Sequence, residues 1–266
     1  MIYNNPFSIL SETIPVIAMQ SFLVLMVLFV VLGTLVDIIH KKNVKYFFEN
    51  AKKAKKSATR ELGTGEKVSI IAKTVVYDIG TTSELGAGNR RIAHLLGMYG
   101  TVLFWIASAV MIFCYSSPFS DTPSLWPIIW HAGAIMTVLG GCWFWFFLRV
   151  DVYSEAQPWY RIIKADLFVL ALIATSLFGL IWSYLQYLNL DNRWDDKVFF
   201  VLYIVSNLIL FGGVYWSKFA HMFYKPGAAI QKNLAEADGS RDNLPPESDA
   251  PKQFGLGITR EDPKHY

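Results

Sequence analysis

The chain has little charge and almost no cysteine. Only 17% of its 266 residues are Asp, Glu, Lys or Arg, whereas 53% are hydrophobic, which is too apolar for an ordinary soluble domain. Cys114 and Cys142 have no CxxC spacing, so no disulfide framework, zinc site or iron–sulfur cluster is indicated. Walker, Rossmann and HExxH strings are also missing. These absences exclude most classes of soluble enzyme and favour a membrane protein.

Five apolar stretches are long enough to cross a bilayer as helices, which takes roughly 20 residues each. They cover residues 14–39, 92–116, 126–148, 165–188 and 198–220. The first stretch has no basic region before it, so we do not expect a signal peptide. We therefore predict an all-α fold, an integral membrane five-helix bundle at residues 14–220, with a short external segment at 1–13.

Lysine and arginine are distributed unevenly between the loops, which predicts an orientation. Residues 41–91 hold 12 of them, 149–164 hold 3 and 218–266 hold 7, against only Arg193 and Lys197 in the remaining loops. Because basic loops stay in the cytoplasm, the N-terminus should lie outside and the C-terminus inside, as in a multi-pass protein of the cell inner membrane. The same clustering beside spans explains the net charge of +3 without nucleic acid, which we exclude as a partner.

Small residues recur every four positions in the third and fourth stretches. They are Gly133, Thr137 and Gly141 in the third, and Ala171, Thr175, Gly179 and Ser183 in the fourth. Such stripes let helix backbones approach closely in membranes, so we expect a compact bundle.

Two histidines are expected at matching depth near the cytoplasmic ends of their spans. His94 follows Arg91 by three residues and His221 precedes Lys225 by four, which puts them roughly 4–6 Å from the same edge at ~1.5 Å per helical residue. Facing histidines can ligate a haem iron from both sides. This interpretation predicts one b-type haem; the alternative is that each histidine is an interfacial residue bonded to backbone or water.

Other residues near this pair fit the haem hypothesis. Gly97 would leave room for the macrocycle, and Arg91 and Lys218 could pair with its propionates, although cations at a cytoplasmic helix end need no such explanation. His40 lies at the same surface and is an alternate ligand.

His131 and Asn207 are polar residues inside predicted spans and thus candidates for function. Either could donate a hydrogen bond to a quinone carbonyl. The alternative, which we favour for both, is a structural hydrogen bond inside the bundle.

The two polar segments carry no sign of substrate chemistry. Residues 41–63 interleave lysines with Tyr46, Phe47 and Phe48, which suits a helix on an anionic membrane surface; a docking surface for a soluble acidic partner is the alternative, and both can hold together. Residues 221–266 are expected to form a cytoplasmic tail that is extended or disordered.

Five spans, an external N-terminus, histidines at the cytoplasmic ends of spans two and five, and the string HMFYKP resemble the cytochrome b membrane subunits typified by the nitrate reductase gamma chain. Within that family the chain is most similar to the membrane anchors associated with dissimilatory adenylylsulfate reductase. The family usually has a second, outer pair of histidines, whereas the outer halves of spans two and five here have Phe104, Trp105 and Tyr203.

The resemblance implies a membrane anchor and electron-transfer subunit. It would link a soluble cytoplasmic flavin and iron–sulfur oxidoreductase, adenylylsulfate reductase in sulfur metabolism, to the quinone pool through one haem b. Since the chain has no cluster motif of its own, that separate subunit would deliver or accept the electrons. The alternative function is a haem-free tether for the same soluble enzyme, and a transporter has only Asn207 in its favour.

Overall fold

The computed structural model describes the chain except for residues 86–87, 154, 189–193, 218–220, 241–252, 255–257 and 260–266. Its helices are α1 Pro6–Leu10, α2 Val16–Lys41, α3 Asn43–Ala54, α4 Thr64–Lys73, α5 Asn89–Cys114, α6 Leu125–Trp143, α7 Val150–Tyr153, α8 Leu167–Leu188, α9 Asp195–Gly212 and α10 His221–Ala237. Two π-helical segments, Thr74–Ile79 and Phe144–Leu148, continue α4 and α6. Two short antiparallel strands, β1 Gln253–Phe254 and β2 Ile258–Thr259, are present as well. All other regular elements among the described residues are helices, so the predicted all-α class is confirmed.

The chain divides into two compact units. The apolar unit consists of Met1–Asp37 and Ile92–Ala220, and the polar unit consists of Ile38–Arg91 and His221–Tyr266. Each unit is therefore built from two separate parts of the sequence.

Four helices are long and apolar enough to span a membrane. They are Val16–His40, Asn89–Cys114, Leu125–Leu148 and Lys164–Leu188, among the described residues. They coincide with the first four predicted spans, and such a set of helices is what a membrane protein requires. The predicted membrane character of the chain is confirmed to this extent.

Helix α9 differs from the fifth predicted span. It has 18 residues, and it begins with the charged residues Asp195, Asp196 and Lys197, so it is not among the four. The helix ends at Gly212, and Gly213 follows as its C-cap; two adjacent glycines each disfavour a helix by about 1 kcal/mol. The prediction of one continuous helix from 198 to 220 is therefore wrong, while a fifth crossing of the membrane stays a prediction.

Helices α5 and α6 approach each other closely through glycines. A Cβ atom added to Gly100 would lie 2.7 Å from the backbone nitrogen of Thr137, and one added to Gly133 would lie 2.7 Å from the carbonyl oxygen of Gly100. The predicted stripes on α6 and α8 are buried throughout. The interpretation that small residues let these helices pack closely is confirmed.

Large aromatic side chains fill the centre of the apolar unit. Trp182 of α8 stacks on Tyr203 of α9 with ring centroids 5.6 Å apart, and Trp130 of α6 lies 5.0 Å from Phe104 of α5. The short helix α1 inserts Phe7 edge-on between both tryptophans. These rings bury large apolar areas and favour such tilted and edge-on contacts.

A buried ion pair fixes the loop between α6 and α8. Arg149 and Asp166 lie 2.9 Å apart with side chains only 5% and 12% exposed. The same guanidinium donates to the carbonyl oxygen of Arg161 and lies over the ring of Trp145 at 4.2 Å. Asp166 also accepts from the backbone N–H of Ile163. The charges are thus paired and hydrogen-bonded, as burial demands.

The polar unit corrects the expectation of an unstructured tail. Residues 221–237 form helix α10 in spite of Pro226, so this part of the tail is neither extended nor disordered. Asn233 of α10 donates hydrogen bonds of 2.7 Å to the hydroxyl of Thr74 and to the carboxylate of Asp78. These contacts join α10 to the segment Thr74–Ile79, and tertiary packing of this kind outweighs a helix-breaking residue.

Candidate functional site

His94 lies in the second turn of α5, where the predicted haem ligand was expected. Its side chain is exposed. One turn further on, a Cβ atom added to Gly97 would meet nothing within 4 Å, so there is open space beside this face of the helix. The structure thus places His94 at an exposed position near open space, and its role as a haem ligand stays a prediction.

The second predicted ligand is not on the fifth apolar helix. His221 is the first residue of α10, which belongs to the polar unit, whereas α9 ended at Gly212. The depth that was counted along one continuous helix therefore does not apply to His221, because five residues of turn and bend and three undescribed residues intervene.

The remaining predicted haem contacts lie in different surroundings. The Nε atom of Arg91 donates to the carbonyl oxygen of Thr81 at 2.8 Å, so part of its guanidinium stabilises the polar unit. His40, the alternate ligand, is exposed near the end of α2. Lys218 lies outside the described residues.

His131 makes the structural hydrogen bonds that the sequence favoured. It is 1% exposed; its Nδ1 lies 2.7 Å from the carbonyl oxygen of Pro127 and its Nε2 lies 2.9 Å from the hydroxyl of Ser183 on α8. A carbonyl only accepts, so Nδ1 carries the proton and, in a neutral ring, Nε2 accepts from Ser183. Both ring nitrogens are occupied, which leaves His131 no polar atom for a quinone in this arrangement.

Asn207, in contrast, lines a cavity. The cavity has a volume of about 470 Å³ and lies between α2, α5 and α9 in the apolar unit. Six of the residues that line it are Phe22, Phe104, Trp105, Tyr203, Asn207 and Phe211. This size and this largely apolar, aromatic lining with a few polar groups are typical of sites for small apolar ligands. His131 is not among the lining residues, so the two quinone candidates are not brought together.

A polar network that the sequence did not predict forms one wall of this cavity. The amide nitrogen of Asn207 donates to the carbonyl oxygen of Tyr203 at 2.8 Å, and the hydroxyl of Tyr203 is hydrogen-bonded with the side chains of Asn207 and Ser108. Ser108 in turn accepts from the indole N–H of Trp130 at 2.9 Å. Only the position of Asn207 within an apolar run signalled this network, because Ser108 and Tyr203 are common in membrane helices.

Among the described residues, no group of three or more His, Cys, Asp or Glu side chains could hold a metal ion; a haem with two axial histidines would not need such a group. No protein-family model, no curated protein and no solved structure matches the chain. The resemblance to cytochrome b membrane subunits therefore stays a prediction.

Proposed function

We propose that the chain is a membrane anchor and electron-transfer subunit that links a soluble cytoplasmic oxidoreductase to the quinone pool. The observation that carries this proposal is the division of the chain into a unit with the apolar helices and a folded, helical polar unit. An anchor needs both parts: helices that stay in the bilayer and a surface outside it that can bind a partner.

The partner that the resemblance implies is a flavin and iron–sulfur enzyme, adenylylsulfate reductase. The polar unit is the candidate docking surface for it, on the cytoplasmic side by the distribution of Lys and Arg. Affinity purification of the tagged full chain from its own cells tests the partnership: recovery of a flavin and iron–sulfur protein is expected, and its absence under mild detergent conditions would contradict the proposal.

One haem b is proposed to be held by His94 and His221, with His40 as the alternate ligand. The exposed imidazole of His94 and the open space at Gly97 support this, and Arg91 and Lys218 are the proposed partners of the propionates. Such a haem would supply one-electron transfer between the partner and a quinone. In this proposal His94 and His221 would hold the iron, and Arg91 and Lys218 would place positive charges near the haem propionates.

The test is a reduced-minus-oxidised absorption spectrum of the purified chain, quantified as haem per polypeptide. We expect a b-type signal near one haem per chain, lost in His94→Ala and in His221→Ala. His40→Ala tests the alternate ligand: it should retain the haem, whereas loss of haem in His40→Ala, with normal haem content in one of the other two variants, would replace that histidine by His40. Normal haem content in both single variants would overturn the ligand assignment.

The quinone site is proposed at the cavity beside Asn207 rather than at His131. Aromatic walls suit a flat quinone ring. The amide nitrogen of Asn207 has two N–H groups, of which one donates to the carbonyl oxygen of Tyr203, and the other can donate to a quinone carbonyl. Asn207→Leu should weaken quenching of tryptophan fluorescence by decylubiquinone, whereas Leu139→Phe, at a position 58% exposed on α6, should leave it unchanged. Equal quenching in all three proteins would contradict this site.

A haem-free tether is the second candidate function. The observation in its favour is that His221 begins a separate helix outside α9. A tether predicts a colourless protein, from cells supplied with ample haem, that still retains its soluble partner. The spectrum and the purification together therefore separate the two functions.

A further inference from the structure

Helix α3 begins almost directly after a helix that can span the membrane. α2 ends at Lys41, and α3 begins at Asn43. The break is made by Lys42, whose φ of 54° is in the left-handed region and so cannot continue a right-handed helix. The chain connection alone keeps the first turn of α3 within about two residues, or roughly 7 Å, of the end of α2. If α2 spans the bilayer, the start of α3 lies at the level of the lipid headgroups.

The apolar face of α3 is half-buried and borders a cavity that it shares with α10. Phe47, Ala51 and Ala54 line one side of a small cavity of about 280 Å³, and residues of α10, among them Gln231 and Ala235, line the other side. These α3 positions follow the i, i+4, i+7 spacing of a single helix face. The sequence alone favoured a helix lying on the membrane surface, but in the fold this face lines the cavity that α3 shares with α10.

The exposed side of α3, taken together with Lys42 before it and Lys55 and Lys56 after it, is strongly basic. Between positions 42 and 56 there are six lysines and one glutamate, and all six lysines are exposed, namely Lys42, Lys45, Lys52, Lys53, Lys55 and Lys56. Glu49 offsets Lys45 only, at 3.8 Å. The net charge of this stretch is therefore +5, from six positive charges and one negative charge. Two aromatic side chains, Tyr46 and Phe48, are exposed beside the lysines, at 56% and 65%.

We propose that this lysine-rich face of α3 is a binding site for anionic phospholipid headgroups. Lysines at the headgroup level are attracted by lipid phosphates, and exposed aromatic rings next to them favour the interfacial region of the bilayer. Lipid is preferred to an acidic protein as the occupant because, if α2 spans the bilayer, the connection to α2 keeps the first turn of α3, with Lys42 and Lys45, beside the headgroups. The site requires neither haem nor a soluble partner and goes beyond the proposed function.

The experiment uses the full chain in nanodiscs of phosphatidylcholine, with or without phosphatidylglycerol. An environment-sensitive fluorophore is attached at Phe48→Cys after replacement of Cys114 and Cys142 by serine. We expect blue-shifted emission with phosphatidylglycerol, and reversal of the shift by about 0.5 M salt because the Debye length falls to a few ångströms. The double variant Lys52→Gln, Lys53→Gln should need severalfold more phosphatidylglycerol for the same shift.

A second double variant is the matched control. Lys67 and Lys73 of α4 are exposed as well but lie outside the α3 stretch, so Lys67→Gln, Lys73→Gln should leave the response unchanged. The same emission in both lipid compositions would overturn the proposal. So would an equal effect of the two double variants, or a shift that appears only when an acidic protein is added.

Discussion

The Nε2 atom of His131 on α6 lies 2.9 Å from the hydroxyl oxygen of Ser183 on α8, at a point where both side chains are buried. With Nδ1 bonded to the carbonyl oxygen of Pro127, this bond uses the last polar atom of the ring. The packing of α6 against α8 therefore explains why His131, a titratable side chain, lies inside an apolar helix, since buried polar groups require hydrogen-bond partners.

Ser183→Ala should destabilise the apolar unit. The substitution leaves a buried imidazole nitrogen without its donor, which costs about 1–3 kcal/mol, measured as a lower free energy of unfolding in mixed detergent micelles. Ser206→Ala is the control, because Ser206 donates only to carbonyl oxygens of its own helix. Equal stability of the two variants would show that the bond between helices contributes nothing.

Gly133→Ala should also destabilise the protein, by about 1–3 kcal/mol. The added methyl group would meet backbone atoms of α5 at 2.7 Å, and backbone cannot move aside as a side chain can. Gly97→Ala, with open space around it, should keep or slightly raise stability, because alanine favours a helix over glycine. If Gly133→Ala unfolds at the same concentration of denaturing detergent as the wild-type protein, α5 and α6 do not pack through these glycines.

The four apolar helices and their small-residue stripes could be predicted from the sequence because long apolar runs and i, i+4 spacing are local patterns. The end of α9 could not. Aromatic and apolar residues such as Val214, Tyr215 and Trp216 continue past Gly213, so the hydropathy of the sequence does not reveal the turn there.

Contacts between distant segments explain the other differences. The sequence predicts an extended or disordered tail after position 221, but Asn233 joins α10 to a residue 155 positions away. The cavity beside Asn207 likewise arises where α2, α5 and α9 leave space between them. Such features depend on tertiary packing, which no local pattern contains.

The contact between Asp78 and Asn233 should make the polar unit sensitive to acid. Hydrogen bonds from Ser83 and Asn233 hold the pKa of Asp78 below the usual range of an aspartate. Because the folded pKa is the lower one, this stabilisation is complete above about pH 4 and is lost as the pH falls through the folded pKa.

Asp78→Asn should therefore lower the amide-exchange protection of α10 at pH 7, and the difference from wild type should shrink as the pH falls through the lowered pKa of Asp78, after correction for intrinsic exchange rates. Glu61→Gln, at an exposed carboxylate, controls for the change in net charge. A difference that persists unchanged at low pH would mean that the carboxylate charge is not what holds α10.

Asp166→Ala should destabilise the protein more than any change at the neighbouring surface ion pair. The substitution leaves Arg149, whose side chain is 5% exposed, as a buried charge without its carboxylate, and breaking a buried pair in this way costs about 3–5 kcal/mol.

Arg161→Gln is the matched control, because its contact with Glu155 is long at 3.9 Å and about half exposed, and such pairs contribute about 0–1 kcal/mol. The measurement is again the free energy of unfolding in mixed micelles. A cost below 1 kcal/mol for Asp166→Ala would mean that water or lipid phosphate replaces the carboxylate, and that the loop between α6 and α8 is held by the stacking of Arg149 on Trp145 instead.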